Sequence, residues 1–313
     1  MSTIGILVLL LLLFYLIGRA ADWVIINIKV LGKNLGLKEF WLGLILGLLT
    51  TSPELFVGLQ ATLQNFGALS FGNLMGGVVV LLGLICGLSV VLNRELKVAE
   101  SFSYQNLFIM GTYLLLPLAL GSDGQLSAVD GLLLLILYVV IVWYFIKSNT
   151  SIHPSVHLEG GTSNFRAGME AVIGLAAVVI IAKFILELTL VLTTELNLRP
   201  FIVGLLFFSI GTNLPELTLT FRSWQSQARD LSLGNLIGSA FANILVVGFL
   251  AFLRPIVFTV GPAYLWLCSF LVALVAAFIW FAYTERRLSW REGLVLIVFY
   301  LAFVVVQVRF IAL

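Results

Sequence analysis

Gly211-Thr212-Asn213-Leu214-Pro215-Glu216 places a proline, a carboxylate and two small polar side chains inside a segment that is otherwise Phe, Leu and Ile. A carboxylate in the middle of a bilayer costs several kcal/mol unless a cation meets it, so it marks a functional site by default. Pro215 has no backbone N–H and its ring disturbs the carbonyl about one turn back, which predicts a kink or break just before Glu216. Freed carbonyls and a carboxylate then share one place. A regular helix would set Thr212 and Asn213 on the same face as Glu216. Further on, Asn235, Ser239 and Asn243 recur at every fourth position as a second polar stripe. Two oxygen-bearing stripes on apolar helices suit a hard cation such as Na+ or Ca2+, which is held by carboxylate, hydroxyl and carbonyl oxygens.

Working outward, the same pattern stands earlier as Thr50-Thr51-Ser52-Pro53-Glu54. Glu216 follows Glu54 by 162 positions, and Gly234 follows Gly72 by the same 162. Leu69-Ser70-Phe71-Gly72-Asn73-Leu74-Met75-Gly76 answers Leu231-Ser232-Leu233-Gly234-Asn235-Leu236-Ile237-Gly238. Two matches at a common offset define an internal repeat.

Composition says where such a chain lives. Of 313 residues 61% are hydrophobic and 10% charged, with mean hydropathy +1.14. A water-facing surface needs far more charge, so this is a polytopic membrane protein and its first partner is the lipid bilayer. A crossing of roughly 30 Å needs about 20 apolar residues. Candidate spans fall at 4–28, 39–64, 68–92, 103–121, 126–146, 166–192, 200–226, 231–253, 260–283 and 290–310. The net charge of +2, without a basic cluster, excludes a nucleic-acid partner, and no partner protein is evident. The first span has the Leu-rich core of a signal peptide but not its basic leading region, and is read as a helix. Cys86 and Cys268 lie inside apolar spans as small buried thiols, and no cysteine–histidine metal motif occurs.

Along the chain, Arg19 and Asp22 in the first span are read as a pair reaching towards the headgroups. Pro53 lies about 13 residues into the second span, or about 20 Å at 1.5 Å per residue, which puts Glu54 in the middle third of the bilayer. Gly72, Gly76 and Gly77 in the third span let a neighbouring helix come close. The connection 147–165 holds both histidines, His153 and His157, with Pro154 between them and no further ligand nearby. Lys183 and Glu187 repeat in the sixth span the character of the first. Spans 9 and 10 read as scaffold. Nothing suggests an enzyme: there is no His-Glu-x-x-His motif and no nucleophile–base pair at membrane depth. A purely structural protein would have no use for two Pro-Glu pairs at matched depth.

Twelve basic residues fall in the loops after spans 1, 3, 5, 7 and 9, against Arg199, Arg254 and Arg309 on the other side. The positive-inside rule then places both termini outside the cytoplasm. Five spans per half is an odd number, so the second half starts from the opposite face. The predicted fold is an all-α membrane protein of ten transmembrane helices, two inverted five-helix repeats, with helices 2 and 7 broken at Pro53 and Pro215. The repeats cover 1–146 and 166–313, joined by a cytoplasmic loop at 147–165. Inverted repeats with broken helices at the midplane mark alternating-access transport.

The two Pro-Glu motifs, with Gly72-Asn73-Leu74-Met75-Gly76 and Gly234-Asn235-Leu236-Ile237-Gly238-Ser239, resemble those of the cation/calcium antiporter family, the sodium/calcium exchangers and their prokaryotic relatives. The resemblance implies exchange of Ca2+ for Na+, or in some branches H+, in a prokaryotic inner or plasma membrane, without a cofactor. It implies central carboxylates at Glu54 and Glu216, hydroxyl ligands at Thr50, Thr212 and Ser239, and backbone carbonyls at Gly47 and Ser209. It also implies that the helices resembling spans 1 and 6 slide against the rest. Asn213 stands where a serine is usual and Asn243 where many members have aspartate. Gly77, Val78 and Leu81 stand where the family usually has serine and two asparagines, which removes oxygens from the first half. Gly43 to Glu54 is one residue shorter than Gly204 to Glu216, so either Thr50 or Thr51 is the ligand. With Asn243 neutral the core carries two negative charges, which one Ca2+ or two monovalent ions balance. Protons are the alternative coupling ion, since a carboxylate taken out of water favours its protonated form.

Overall fold

In the computed structural model, residues 3–35, 49–98, 103–147, 163–225, 233–284 and 286–311 are described. Among them eight helices are long and apolar enough to cross a membrane. These are α1 (Thr3–Asn34), α3 (Gly67–Asn93), α4 (Tyr104–Leu120), α5 (Ala128–Lys147), α6 (Asn164–Glu195), α8 (Leu233–Leu253), α9 (Pro262–Thr284) and α10 (Trp290–Val308). The two other predicted spans, which carry the Pro-Glu pairs, form shorter pieces. One gives α2 (Ser52–Leu63), with 36–48 outside the described residues; the other gives α7a (Pro200–Thr212) and α7b (Leu214–Gln225). The loop with both histidines also lies outside the described residues.

Burial separates the inner helices from the outer ones. In the most apolar stretch of α3, 83% of residues are buried and in α8 72%, against 17% in α5. An inner helix meets protein on every side, which is why α3 is apolar or glycine on nearly all of its surface, apart from the buried Ser70, Asn73 and Ser89. The outer helices expose Ile136, Val139, Trp143, Trp266, Val298 and Leu301, apolar faces that lipid covers.

Glycines set the distance between α3 and α7a. A Cβ at Gly72 would run into the Phe201 carbonyl, one at Gly76 into the Leu205 carbonyl, and one at Gly204 into the Leu69 carbonyl. The two backbones therefore touch, and Gly72 and Gly76 of the third span serve this packing. Both helices contain a π-turn, Val80–Ile85 in α3 and Gly204–Phe208 in α7a. The 32-residue helices α1 and α6 lie against each other outside this core. At about 1.5 Å per residue each is longer than the hydrocarbon is thick, long enough to cross with tilt or to project beyond it.

The 162-residue offset recurs in the tertiary structure. Ser127 Oγ and backbone N bind Asp130 at the start of α5, at 2.6 and 2.8 Å. Ser289 Oγ and backbone N bind Glu292 at the start of α10, at 2.8 and 2.7 Å, in a capping box. Two small antiparallel sheets join the halves. β2 (Gln125–Leu126) pairs with β3 (Ile256–Val257), and β1 (Glu95–Lys97) pairs with β4 (Arg287–Ser289). Leu126 and Leu288, 162 apart, are both fully buried there. β1 leads into α4 and β2 follows it. Glycine pairs do the same for the helices: Gly87 meets Gly293, and Gly131 meets Gly248.

Candidate functional site

The two helix breaks are built alike. Thr51 has φ −90° and ψ 14°, and Asn213 has φ −92° and ψ 11°, both in the sparsely populated bridge region. These residues too are 162 apart. Pro53 and Pro215 are each the second residue of the new helix. A helix does not use the N–H groups of its first turn, so a proline there costs no hydrogen bond and its fixed φ favours the start. The interruption therefore falls two residues before each proline, not at it. Consequently Thr212 ends one helix and Glu216 belongs to the next, and they do not share a regular helical face.

The one-residue difference in length between the copies has a place in the structure. A π-turn holds an extra residue in an otherwise α-helical run, and Gly204–Phe208 is such a turn between Gly204 and Glu216. Thr50 then corresponds to Thr212 and Thr51 to Asn213. Gly43 and Gly47 lie outside the described residues.

Glu54 is 2% exposed and Glu216 6%. Each has one carboxylate oxygen, Oε2, without a protein partner. Among the described residues neither forms an ion pair; the salt bridges are Arg19 with Asp22, Arg166 with Glu170, Lys183 with Glu187 and Arg287 with Glu95. The Glu54 carboxylate faces the Thr212 side chain and interacts with the charge of Glu216. The Thr212 hydroxyl lies 3.0 Å from the Phe208 carbonyl and 3.3 Å from Asn73 Oδ1, so its proton is shared between them. Asn73 Nδ2 has no protein partner.

On α8, Asn243 is 1% exposed and both ends of its carboxamide lack a protein partner. A Cβ added to Gly77 would sit 2.6 Å from Asn243 Nδ2 and 3.4 Å from Asn213 Nδ2. The Asn243 side chain thus fills the room that the glycine leaves. Asn213 Nδ2 donates to the Ser209 carbonyl at 2.9 Å, and the Ser209 hydroxyl turns back to the Leu205 carbonyl at 2.6 Å. Ser239 is buried one turn before Asn243, and Thr51 is buried at the first break. Thr50 is half-buried, and the side chain of Asn235 lies outside the described residues. Leu81 packs into the apolar core within the π-turn of α3.

Helix α1 covers the second break. Gly18 lies against the Pro215 ring, and the Phe14 ring lies on Gly211 and edge-on to Phe208 at 5.5 Å.

An unpaired buried polar group costs about 1–3 kcal/mol, and a charged one more. Here two carboxylate oxygens, Asn73 Nδ2 and the whole Asn243 carboxamide stand that way in one region, without a lysine or arginine among the described residues. Among the described residues no three His, Cys, Asp or Glu side chains meet. The donor set is two carboxylates plus hydroxyl, amide and carbonyl oxygens, which suits a hard cation and not a soft transition metal. Asn73 is not among the residues the motifs point to as ligands, although the repeated Gly-Asn pair marks its position.

The sodium/calcium exchanger protein family matches residues 5–147 and 171–309, and the chain belongs to it. The sodium/calcium exchanger MaX1 of Methanosarcina acetivorans is 25% identical, over 98% of this chain and 99% of its own. A solved structure of the sodium-calcium exchanger NCX_Mj, soaked with Na+ and Sr2+, is similar with a TM-score of 0.64 at 21% identity, over 96% of this chain and 98% of that one. The crystal structure of the H+/Ca2+ exchanger CAX is similar with a TM-score of 0.73 at 14% identity, over 97% and 87%. The two structures share the helical membrane fold with this chain.

Proposed function

We propose that this protein is a secondary antiporter that exchanges Ca2+ for Na+ by alternating access, at a site formed by Glu54 and Glu216. The observation that carries the reading is the pair of buried carboxylates, unmatched by any cationic side chain among the described residues, at two equivalent helix breaks. Two negative charges are balanced by one Ca2+ or by two Na+. A bare site would leave both charges desolvated and unpaired, so crossing with a cargo bound is favoured over crossing empty, and exchange follows.

Thr50, Thr51, Thr212, Asn213, Ser239, Asn243 and Asn73 supply the further oxygens in this reading, with the carbonyls of Gly47 and Ser209. The Ser209 carbonyl keeps one lone pair while it accepts from Asn213. The recurrence at 162 positions of the breaks and caps, with the matching sheets and glycine pairs, supports ten helices in two inverted repeats, 1–146 and 166–313. Basic residues on the loops support a cytoplasmic connection at 147–165 and both termini on the opposite face, in a prokaryotic inner or plasma membrane.

Coupling to H+ is the second reading. What favours it is the oxygen-poor first half, where Gly77 has no side chain and Leu81 is turned into the apolar core. The deciding experiment is Ca2+ uptake by proteoliposomes under an outward Na+ gradient or an outward H+ gradient. Uptake driven by Na+ is expected; uptake driven by H+ alone would replace the first reading by the second.

A further inference from the structure

The site has a polar line leading away from it that the exchange chemistry does not use. Glu54, Gly58 and Thr62 follow one another at every fourth residue on one face of α2. The antiparallel α3 brings up Asn73 and, one turn closer to the α2–α3 turn, Ser70. Ser70 is 0% exposed and Thr62 2%, and neither hydroxyl has a protein partner. Ser52 and Ser89 share that state, whereas Thr112, Thr189, Ser209 and Thr220 bond the carbonyl one turn back at 2.6–2.9 Å. The Ser70 hydroxyl instead stands over Gly58: a Cβ there would lie 2.9 Å from Ser70 Oγ and 2.9 Å from Leu250 Cδ1. Only hydrogen fits between Glu54 and Thr62 on that face. At the outer end, Arg254 Nη1 donates to the Leu63 carbonyl at 3.0 Å, and Gln64 and Asn65 are exposed. The second repeat differs, because Thr220, at the position equivalent to Gly58, is tied to the Glu216 carbonyl at 2.9 Å.

We propose that Ser70, Gly58 and Thr62 form the access line along which a partly dehydrated cation moves between Glu54 and the membrane surface at the α2–α3 turn. The distance is about 12 Å, eight residues at 1.5 Å each. Each unpartnered hydroxyl replaces a water that a hard cation sheds, and Gly58, packed against Ser70 and Leu250, closes the line in this conformation. The proposal rests on Glu54 and Glu216 forming the cation site.

Single cysteines test it, introduced as Ser70→Cys, Thr62→Cys and the exposed control Gln64→Cys, in protein carrying Cys86→Ala and Cys268→Ala. In proteoliposomes, a membrane-impermeant methanethiosulfonate should modify positions 62 and 70 from the same side that modifies position 64, and modification should abolish Ca2+ uptake. Modification at 64 with positions 62 and 70 inert, in variants that still transport, would overturn the access line. Should the cysteine variants lose uptake before labelling, Ser70→Ala and Thr62→Val are measured for uptake: a lower maximal rate is expected, and an unchanged rate overturns the proposal. Thiol modification is read without transport, whereas normal exchange by Glu54→Gln would sink the cation site. The two failures are therefore separable.

Discussion

Glu54 and Glu216 are held at 2% and 6% exposure with one oxygen each unpartnered, an arrangement that favours cation binding at the expense of stability. Replacing either with glutamine keeps the shape and removes the charge. Ca2+ uptake by Glu54→Gln and by Glu216→Gln is expected to fall about 100-fold or more, a loss of about 2.7 kcal/mol of transition-state stabilisation. Thermal unfolding of the cation-free protein in detergent should move to equal or higher temperature, because a desolvated charge has been removed. A large drop in melting temperature would show that the carboxylates hold the fold and not the cargo. At Gly77 the outcome depends on Asn243. A serine there collides with the Asn243 carboxamide, so Gly77→Ser alone should slow uptake by about tenfold, about 1.4 kcal/mol. Gly77→Ser with Asn243→Ser should recover it, since the second change clears the space and keeps an oxygen. Uptake by Gly77→Ser equal to that of the parent would show that the amide does not fill this space.

Among the helices, α3 and α7a depend on backbone contact and not on side-chain filling. Gly72→Val would push a branched side chain into the Phe201 carbonyl, and overpacking of this kind costs about 1–3 kcal/mol or more. A lower melting temperature in detergent is the expected result. Gly168→Val is the matched control: nothing lies within 4 Å of a Cβ at Gly168, so only the intrinsic helix preference changes, by under about 1 kcal/mol. Equal shifts for the two variants would contradict the close crossing of α3 and α7a.

The proposed inversion of the two halves belongs to the whole molecule, and the capping boxes offer a direct test of it. If the halves are inverted, Ser127 at the start of α5 and Ser289 at the start of α10 lie at opposite membrane faces. In protein without Cys86 and Cys268, Ser127→Cys and Ser289→Cys are expected to react with an impermeant thiol reagent from opposite sides of an oriented vesicle. Reaction of both from one side would mean parallel halves. The same caps show what linear reading passed over. Ser127-x-x-Asp130 and Ser289-x-x-Glu292 stand 162 apart in plain view, yet a serine three residues from an acid is common, and only the observed hydrogen bonds distinguish a cap from a coincidence.

Much of this protein was decided by its one-dimensional pattern. Apolar runs of bilayer length, two Pro-Glu pairs and a constant 162-residue offset determine a membrane bundle with an internal repeat and two interrupted helices, because hydrocarbon forces every backbone group into internal hydrogen bonds. The same motifs carry the resemblance to the exchanger family, whose match covers residues 5–147 and 171–309. The tertiary structure decided what depends on which atoms meet. It moved the interruptions to Thr51 and Asn213, since a proline starts the next helix more readily than it ends the last. It placed the extra residue of the second copy in the π-turn Gly204–Phe208. It brought Asn73 to Thr212 and set Asn243 into the space at Gly77. A sequence states that a polar side chain is present on a helix. Whether its oxygen is spent on a neighbour or left for a cation is settled only when the helices pack.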